Sequence, residues 1–382
     1  MRGLASFSLC CITAFLLSGC GGTPKKPAAV KEVKRYEARV TPGGVQVQPR
    51  VVRAWLEDIE RDASAATLLK KLEDFQYIGG MAISPKGDVL TFSLIEIVQT
   101  KSVEVEKQKA GTEEASAPQT GTLATDGLRV VGNLRSMHAI EGGGITQITN
   151  GSWFDTDPAV GPGGMLTFAA NRMRPRGMDL FRISLERSGG VSVVRQGGDG
   201  YSSSPSLARD GTVAFEFLPV YDGDIRAAES YPQIWVQGGA VPFPTQLREG
   251  TEPAISPDGS EIAYIGRDGQ LWVMPVTGQT PVQLTTSTLP KDPVTGRPME
   301  KRAPSWTPDG TRLVYSAADG KDGQEKPNYD VWMISKLGGN ARQLTTNGSE
   351  DRLPVVDPDQ KYIYFVSNRG FKEGLWRIPF PI

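Results

Sequence analysis

The 382-residue sequence has only three cysteines, Cys10, Cys11 and Cys20, and one histidine, His138. Beyond residue 20 no disulfide and no thiolate metal site can form, and the histidine count excludes a histidine-rich metal site. A Ser-His-Asp triad would have to use His138, and no G-x-S-x-G elbow is present. Net charge is also nearly absent, at −1, so there is no basic footprint for nucleic acid. Aromatic residues make up 8 % of the chain. Glycine (44) and proline (28) are plentiful. That combination predicts a turn-rich, mostly β protein whose stability comes from its core alone.

The N-terminus reads as an export signal. Met1 and Arg2 give a short positive start, and the apolar run Leu4 to Leu17 is too short to span a bilayer. It ends in Leu17-Ser18-Gly19-Cys20, which resembles the lipobox of bacterial lipoproteins. The resemblance implies cleavage before Cys20 and lipidation of its thiol. Two or more acyl chains hold a protein at a membrane far more firmly than one. Gly21 follows, with no aspartate there, which in the Gram-negative sorting rule implies the outer membrane, facing the periplasm. Residues 20–34 read as a flexible tether.

The rest of the chain is a repeat. The clearest copy runs Glu252-Pro253-Ala254-Ile255-Ser256-Pro257-Asp258-Gly259, then EIAYI (261–265), QLWVM (270–274) and VQLT (282–285). The next has Ala303 to Gly310, RLVYS (312–316), DVWMI (330–334) and RQLT (342–345). The last has Leu353 to Gln360, YIYFVS (362–367) and LWRI (375–378), with no QLT strand. Three worn copies precede these, and the tight turns begin at 85, 162, 209, 257, 308 and 358. Each unit holds four short strand-like runs separated by turn residues. One such unit cannot bury its own faces, whereas a closed ring of them can. The expected fold is therefore all-β: a six-bladed β-propeller of four-stranded antiparallel blades over 75–382. Trp235, Trp272, Trp332, Trp376 and Phe181 share one slot and are expected to pack between blades.

Residues 1–19 then form the signal peptide, and 35–74 an N-terminal strand followed by helix. Trp55, Leu56, Ile59, Ala63, Ala66, Leu69 and Leu72 follow a helical spacing, so 54–75 is read as one or two amphipathic helices. A strand within 35–52 is expected to supply the outer edge that the last copy lacks. Residues 96–127 read as a mobile insertion from the first blade.

The P-x-[WI]-[ST]-P-D-G, [IV]-x-[FY]-x-S, [IL]-W and QLT landmarks resemble the TolB-like propeller repeat. The resemblance covers about 75–380 and implies the propeller fold, an envelope location and a tendency to bind protein. The lipid anchor and the short region before the ring depart from TolB itself, so its partners are not carried over.

By chain order in propellers, Asp155, Asp157, Glu252 and Asp351 fall at the start of channel-lining strands. Lys301, Arg302 and Arg352 hold similar places. They are candidates for a charged ring at one channel mouth, or for a solvated, mutually paired rim. Two functions fit. One is a non-enzymatic scaffold binding an envelope protein or peptide, with no cofactor or metal. The other is a hydrolase or lyase using channel carboxylates.

Overall fold

The computed structural model describes residues 30–41, 44–55, 65–74, 76–99, 128–174, 177–186, 190–195, 200–219, 231–239, 241–292, 295–320 and 327–381. Cys20 and the signal segment lie outside the described residues.

Six four-stranded antiparallel sheets form the ring. Blade 1 holds β4 (Gln76–Ile83), β5 (Val89–Gln99), β6 (Leu128–His138) and β7 (Gly142–Gln147). Blade 2 holds β8 (Asp155–Val160), β9 (Met165–Ala170), β10 (Asp179–Ser184) and β11 (Ser192–Arg195). Blade 3 holds β12 (Gly200–Leu207), β13 (Val213–Pro219), β14 (Gln233–Gly238) and β15 (Val241–Glu249). In blade 4 they are β16 (Thr251–Ile255), β17 (Glu261–Ile265), β18 (Leu271–Pro275) and β19 (Val282–Gln283). In blade 5 they are β20 (Arg302–Trp306), β21 (Arg312–Ala317), β22 (Asp330–Ser335) and β23 (Arg342–Gln343). Blade 6 has β24 (Asp351–Val356), β25 (Tyr362–Ser367) and β26 (Gly374–Pro379) from the C-terminal end, and β3 (Thr67–Lys71) as its outermost strand.

Blades hold together through their flanks. One buried cluster sets Ala263, Ile265 and Leu271 of blade 4 against Leu313 and Tyr315 of blade 5. Another sets Val314 and Val331 of blade 5 against Ile363, Phe365 and Trp376 of blade 6. Each such side chain contributes about 1.5–3 kcal/mol when fully buried. The aromatic slot behaves as expected. Phe181, Trp235, Trp272, Trp332 and Trp376 each pack on the blade before their own.

Closure differs from the expectation. Val45 to Val52 lies in β2 (Gly44–Trp55), which pairs with β1 (Val30–Thr41), starting inside the expected tether, and not with blade 6. The closing strand is β3, with Thr67 opposite Arg377 and Lys71 opposite Gly374. The helix expected over 54–75 is therefore corrected at both ends. Ala54 and Trp55 are strand, 67–71 are strand, and 56–64 lie outside the described residues. Leu69 and Leu72 do turn into the core between blades 6 and 1, but the free edge of β26 draws the backbone into a ladder. The insertion also starts later than expected. Residues 96–99 extend β5 and pair with 128–131 of β6, and 100–127 lie outside the described residues.

Candidate functional site

Two faces of the ring differ. On one, short turns, Pro-containing in five of the six blades, join first to second strands. The other carries the longer links from second to third strands, such as 318–329, and from blade to blade, such as 284–301. A cavity of about 950 Å³ runs along the axis between these faces. As expected, the first strands line it, from Gly79–Ile83 in blade 1 to Leu353–Val356 in blade 6. Asp292, Arg297 and Met299 of the 284–301 link also line it on the long-link side.

Every first strand carries a bulge, where two of its residues face one on the second strand. In five blades the bulge residue is left-handed and precedes proline. These are Asp157, Ser204, Glu252, Ala303 and Leu353, with φ between 48° and 54°. Such a backbone costs about 1–3 kcal/mol at a non-glycine residue. Blade 1 has Gly79 there and Gly80 in the place of the proline, and a Cβ at Gly80 would lie 2.9 Å from the Asp157 Cα. Glycine thus lets blades 1 and 2 approach.

The bulge aims backbone N–H groups at carboxylates of the preceding blade. Ser204 N donates to Asp157 Oδ2 at 3.1 Å, and Glu252 N to Glu216 Oε2 at 3.0 Å. Ala303 N donates to Glu252 Oε2. The Arg302 guanidinium reaches Glu252 Oε1 at 3.2 Å. Burial pushes the Glu216 carboxyl up to about 7, helped by the charges of Glu252 and Asp157 and opposed by the Glu252 N–H and Arg302. Burial likewise lifts Asp157 to about 6, with Glu252 adding to it against the bonds from Ser204 and Thr156. The channel therefore holds two carboxyls pushed up toward neutrality beside the Glu252–Arg302 pair. Such a set can accept or donate hydrogen bonds and can move a proton.

Of the seven charged candidates, the structure brings Asp157, Glu252 and Arg302 together. Asp155 is buried and takes a two-pronged bond from Arg172. Asp351 is buried beneath Arg369 and Asn347, at 2.7 and 3.1 Å. Arg352 bonds Glu373, whose other oxygen accepts the Ile78 N–H and so ties blade 6 to blade 1. Lys301 borders the cavity, but its ammonium is buried between Asp319 and Ser287. Asp155–Arg172 and Asp351–Arg369 are the same pin in two blades, joining the start of the first strand to the link after the second. Lys301–Asp319 is that pin in blade 5 with its charges exchanged. These pairs hold links in place and do not form a ring at the mouth.

Sequence reasoning missed Glu216 and Ser204. The signal for Glu216 was present. Strand register places it level with Leu94, Ala169, Ile265, Ser316 and Val366, so it is the one acid among six equivalent positions. His138 ends the third strand of blade 1, as expected, and its Nδ1 accepts the Glu141 N–H.

Fold and site together define a six-bladed β-propeller with a charged central channel. No family model matches the chain. It is 25 % identical over 205 residues to the uncharacterized peptidase YuxL of Bacillus subtilis, a match covering 44 % of this chain. It spans only 29 % of that relative's length. Solved structures similar to it include TolB from Acinetobacter baumannii, at 15 % identity and a TM-score of 0.46, covering 65 % of this chain and 59 % of that one. Another is the hydrazine synthase of Kuenenia stuttgartiensis, at 15 % identity and a TM-score of 0.50, covering 65 % of this chain and 40 % of that one. Likeness at this level speaks for the fold alone.

Proposed function

We propose that the protein is an envelope lipoprotein, anchored through Cys20, that acts as a non-enzymatic scaffold and binds a protein or peptide at the long-link mouth of its channel. The observation that carries this is the convergence of Asp157, Glu216, Glu252 and Arg302, from four blades, on one cavity. The longer links gather at that mouth, where loops supply contacts on a rigid frame. The lipobox-like Leu17 to Cys20 supports the anchor, and Gly21 supports the outer membrane facing the periplasm.

A photo-crosslinking residue placed at position 297, on the mouth, tests the reading against one at position 86, on the turn face. In intact cells the first should capture a discrete partner, and the Glu252→Arg variant should lose it. Equal capture from both faces would defeat the reading. A second reading, an enzyme, is favoured by one observation. Glu216 is lifted to about 7 beside the Glu252–Arg302 pair, an arrangement of the kind general acid–base chemistry uses. Turnover on a panel of glycans and lactones, abolished by Glu216→Gln, would establish it in place of the scaffold.

A further inference from the structure

The channel carboxylates form a directional chain. Asp157 of blade 2 accepts from the bulge N–H of blade 3, Glu216 of blade 3 from that of blade 4, and Glu252 of blade 4 from that of blade 5. The three acceptors are close enough to oppose one another's ionisation. Among the cations lining the cavity, Arg302 on β20 contacts Glu252, Lys301 is held by Asp319, and Arg209 and Arg297 stand further along the wall. Thr156 Oγ1 bonds Asp157 at 3.1 Å from blade 2 itself. Tyr231, ahead of β14, faces Glu216 and Glu300 and is itself pushed up to about 12, first by burial and then by their charges. Gly79 and Gly80 bring no charge from blade 1.

One guanidinium cannot neutralise three ionised carboxylates. Three negative charges in a partly dehydrated channel, with one guanidinium in contact with them, leave a net repulsion that one bound proton relieves. Each carboxylate also bears a backbone N–H of the next blade, so the protonation state is felt along the inner seam of blades 2 to 5.

We propose that Asp157 and Glu216, each bonded to the bulge N–H of the next blade and set beside the Glu252–Arg302 pair, take up a proton between them and thereby switch the charge of the channel and the strength of the seam they stitch. The ligand-free full chain is the material for the test, so the outcome does not depend on any partner.

Selective ¹³C labelling of Asp and Glu side chains follows the carboxyl titrations by NMR. Carboxyl signals of Asp157 and Glu216, assigned by Asp157→Asn and Glu216→Gln, should titrate between about pH 5.5 and 7.5. The Ser204 and Glu252 amide signals should move with the same midpoints. Glu252→Gln should lower both midpoints by about one pH unit, because it removes a shared charge. If Glu252→Gln does not fold, Asp157→Asn should lower the Glu216 midpoint in the same direction. Titration of both groups below about pH 5 would overturn the proposal, as would midpoints that no neighbouring substitution moves.

Discussion

If β3 closes the ring, a disulfide across the β3–β26 seam should form unaided and stabilise the fold. Thr67 and Arg377 are direct partners in that ladder. Opposed antiparallel residues have Cα atoms about 4.5–5.5 Å apart, inside the roughly 4.4–6.8 Å that a disulfide accepts. In a chain with Cys10, Cys11 and Cys20 replaced, Thr67→Cys with Arg377→Cys would close a loop of about 300 residues, for which chain entropy alone gives about 6 kcal/mol. Measured bridges usually deliver about 2–4 kcal/mol, because some native strain remains. The right reference is the reduced double variant. Arg377 lies 4.3 Å over the Tyr362 ring and bonds Ile140 O, so losing it carries its own cost of about 1 kcal/mol. Urea unfolding of oxidised against reduced protein should differ by about 2–4 kcal/mol, with a melting rise on the order of 5 °C. Failure to form the bridge within one chain would refute closure by 67–71. A bridge forming instead from a cysteine within 45–52 would restore the closure expected from sequence.

Glu216→Gln keeps an acceptor for the Glu252 N–H and removes the titration. The folded carboxyl sits near 7 against an ordinary 4.5, so its contribution to stability is complete below about 4.5 and is lost as pH rises through about 7. Unfolding curves of the variant should match wild type near pH 4 and exceed it at pH 8 by up to about 3 kcal/mol, and parallel pH profiles would count against the assignment. Asp351→Asn strands a buried Arg369 and should cost about 3–5 kcal/mol by denaturant unfolding. The exchange Asp351→Lys with Arg369→Asp should recover about half of that loss, because blade 5 already runs this pin reversed through Lys301 and Asp319. Cys20→Ser should move the protein from the membrane pellet to the soluble fraction on cell fractionation; a variant still in the pellet would rule out the lipid anchor.

Most of the ring was legible because its determinants are local. Pro-Asp-Gly turns, alternating strands and the recurring Trp slot lie within a few residues of one another, and chain order then fixes the inner strands. Closure was not legible for a specific reason. Leu69 and Leu72 are spaced to suit a helix face, and what makes 67–71 a strand is an edge about 300 residues away. The site failed differently. Asp155 and Asp157 are two apart, so a regular strand would point both the same way. The left-handed backbone at Asp157 breaks that alternation, sending Asp157 to the channel and leaving Asp155 on Arg172. The proline after each bulge residue marks the irregularity in sequence but not its direction. Glu216 sits in mid-strand, where charge is usually a mark of the solvent side. Only the blade-to-blade register shows it to be the exception among its equivalents.

Hydrogen exchange on the full-length protein with its crosslinked partner tests the central claim most directly. Binding at the long-link mouth predicts slowed exchange over 250–253 and 297–303, with 85–88 and 308–311 on the turn face unchanged. Protection confined to the turn face or to the outer strands would contradict it.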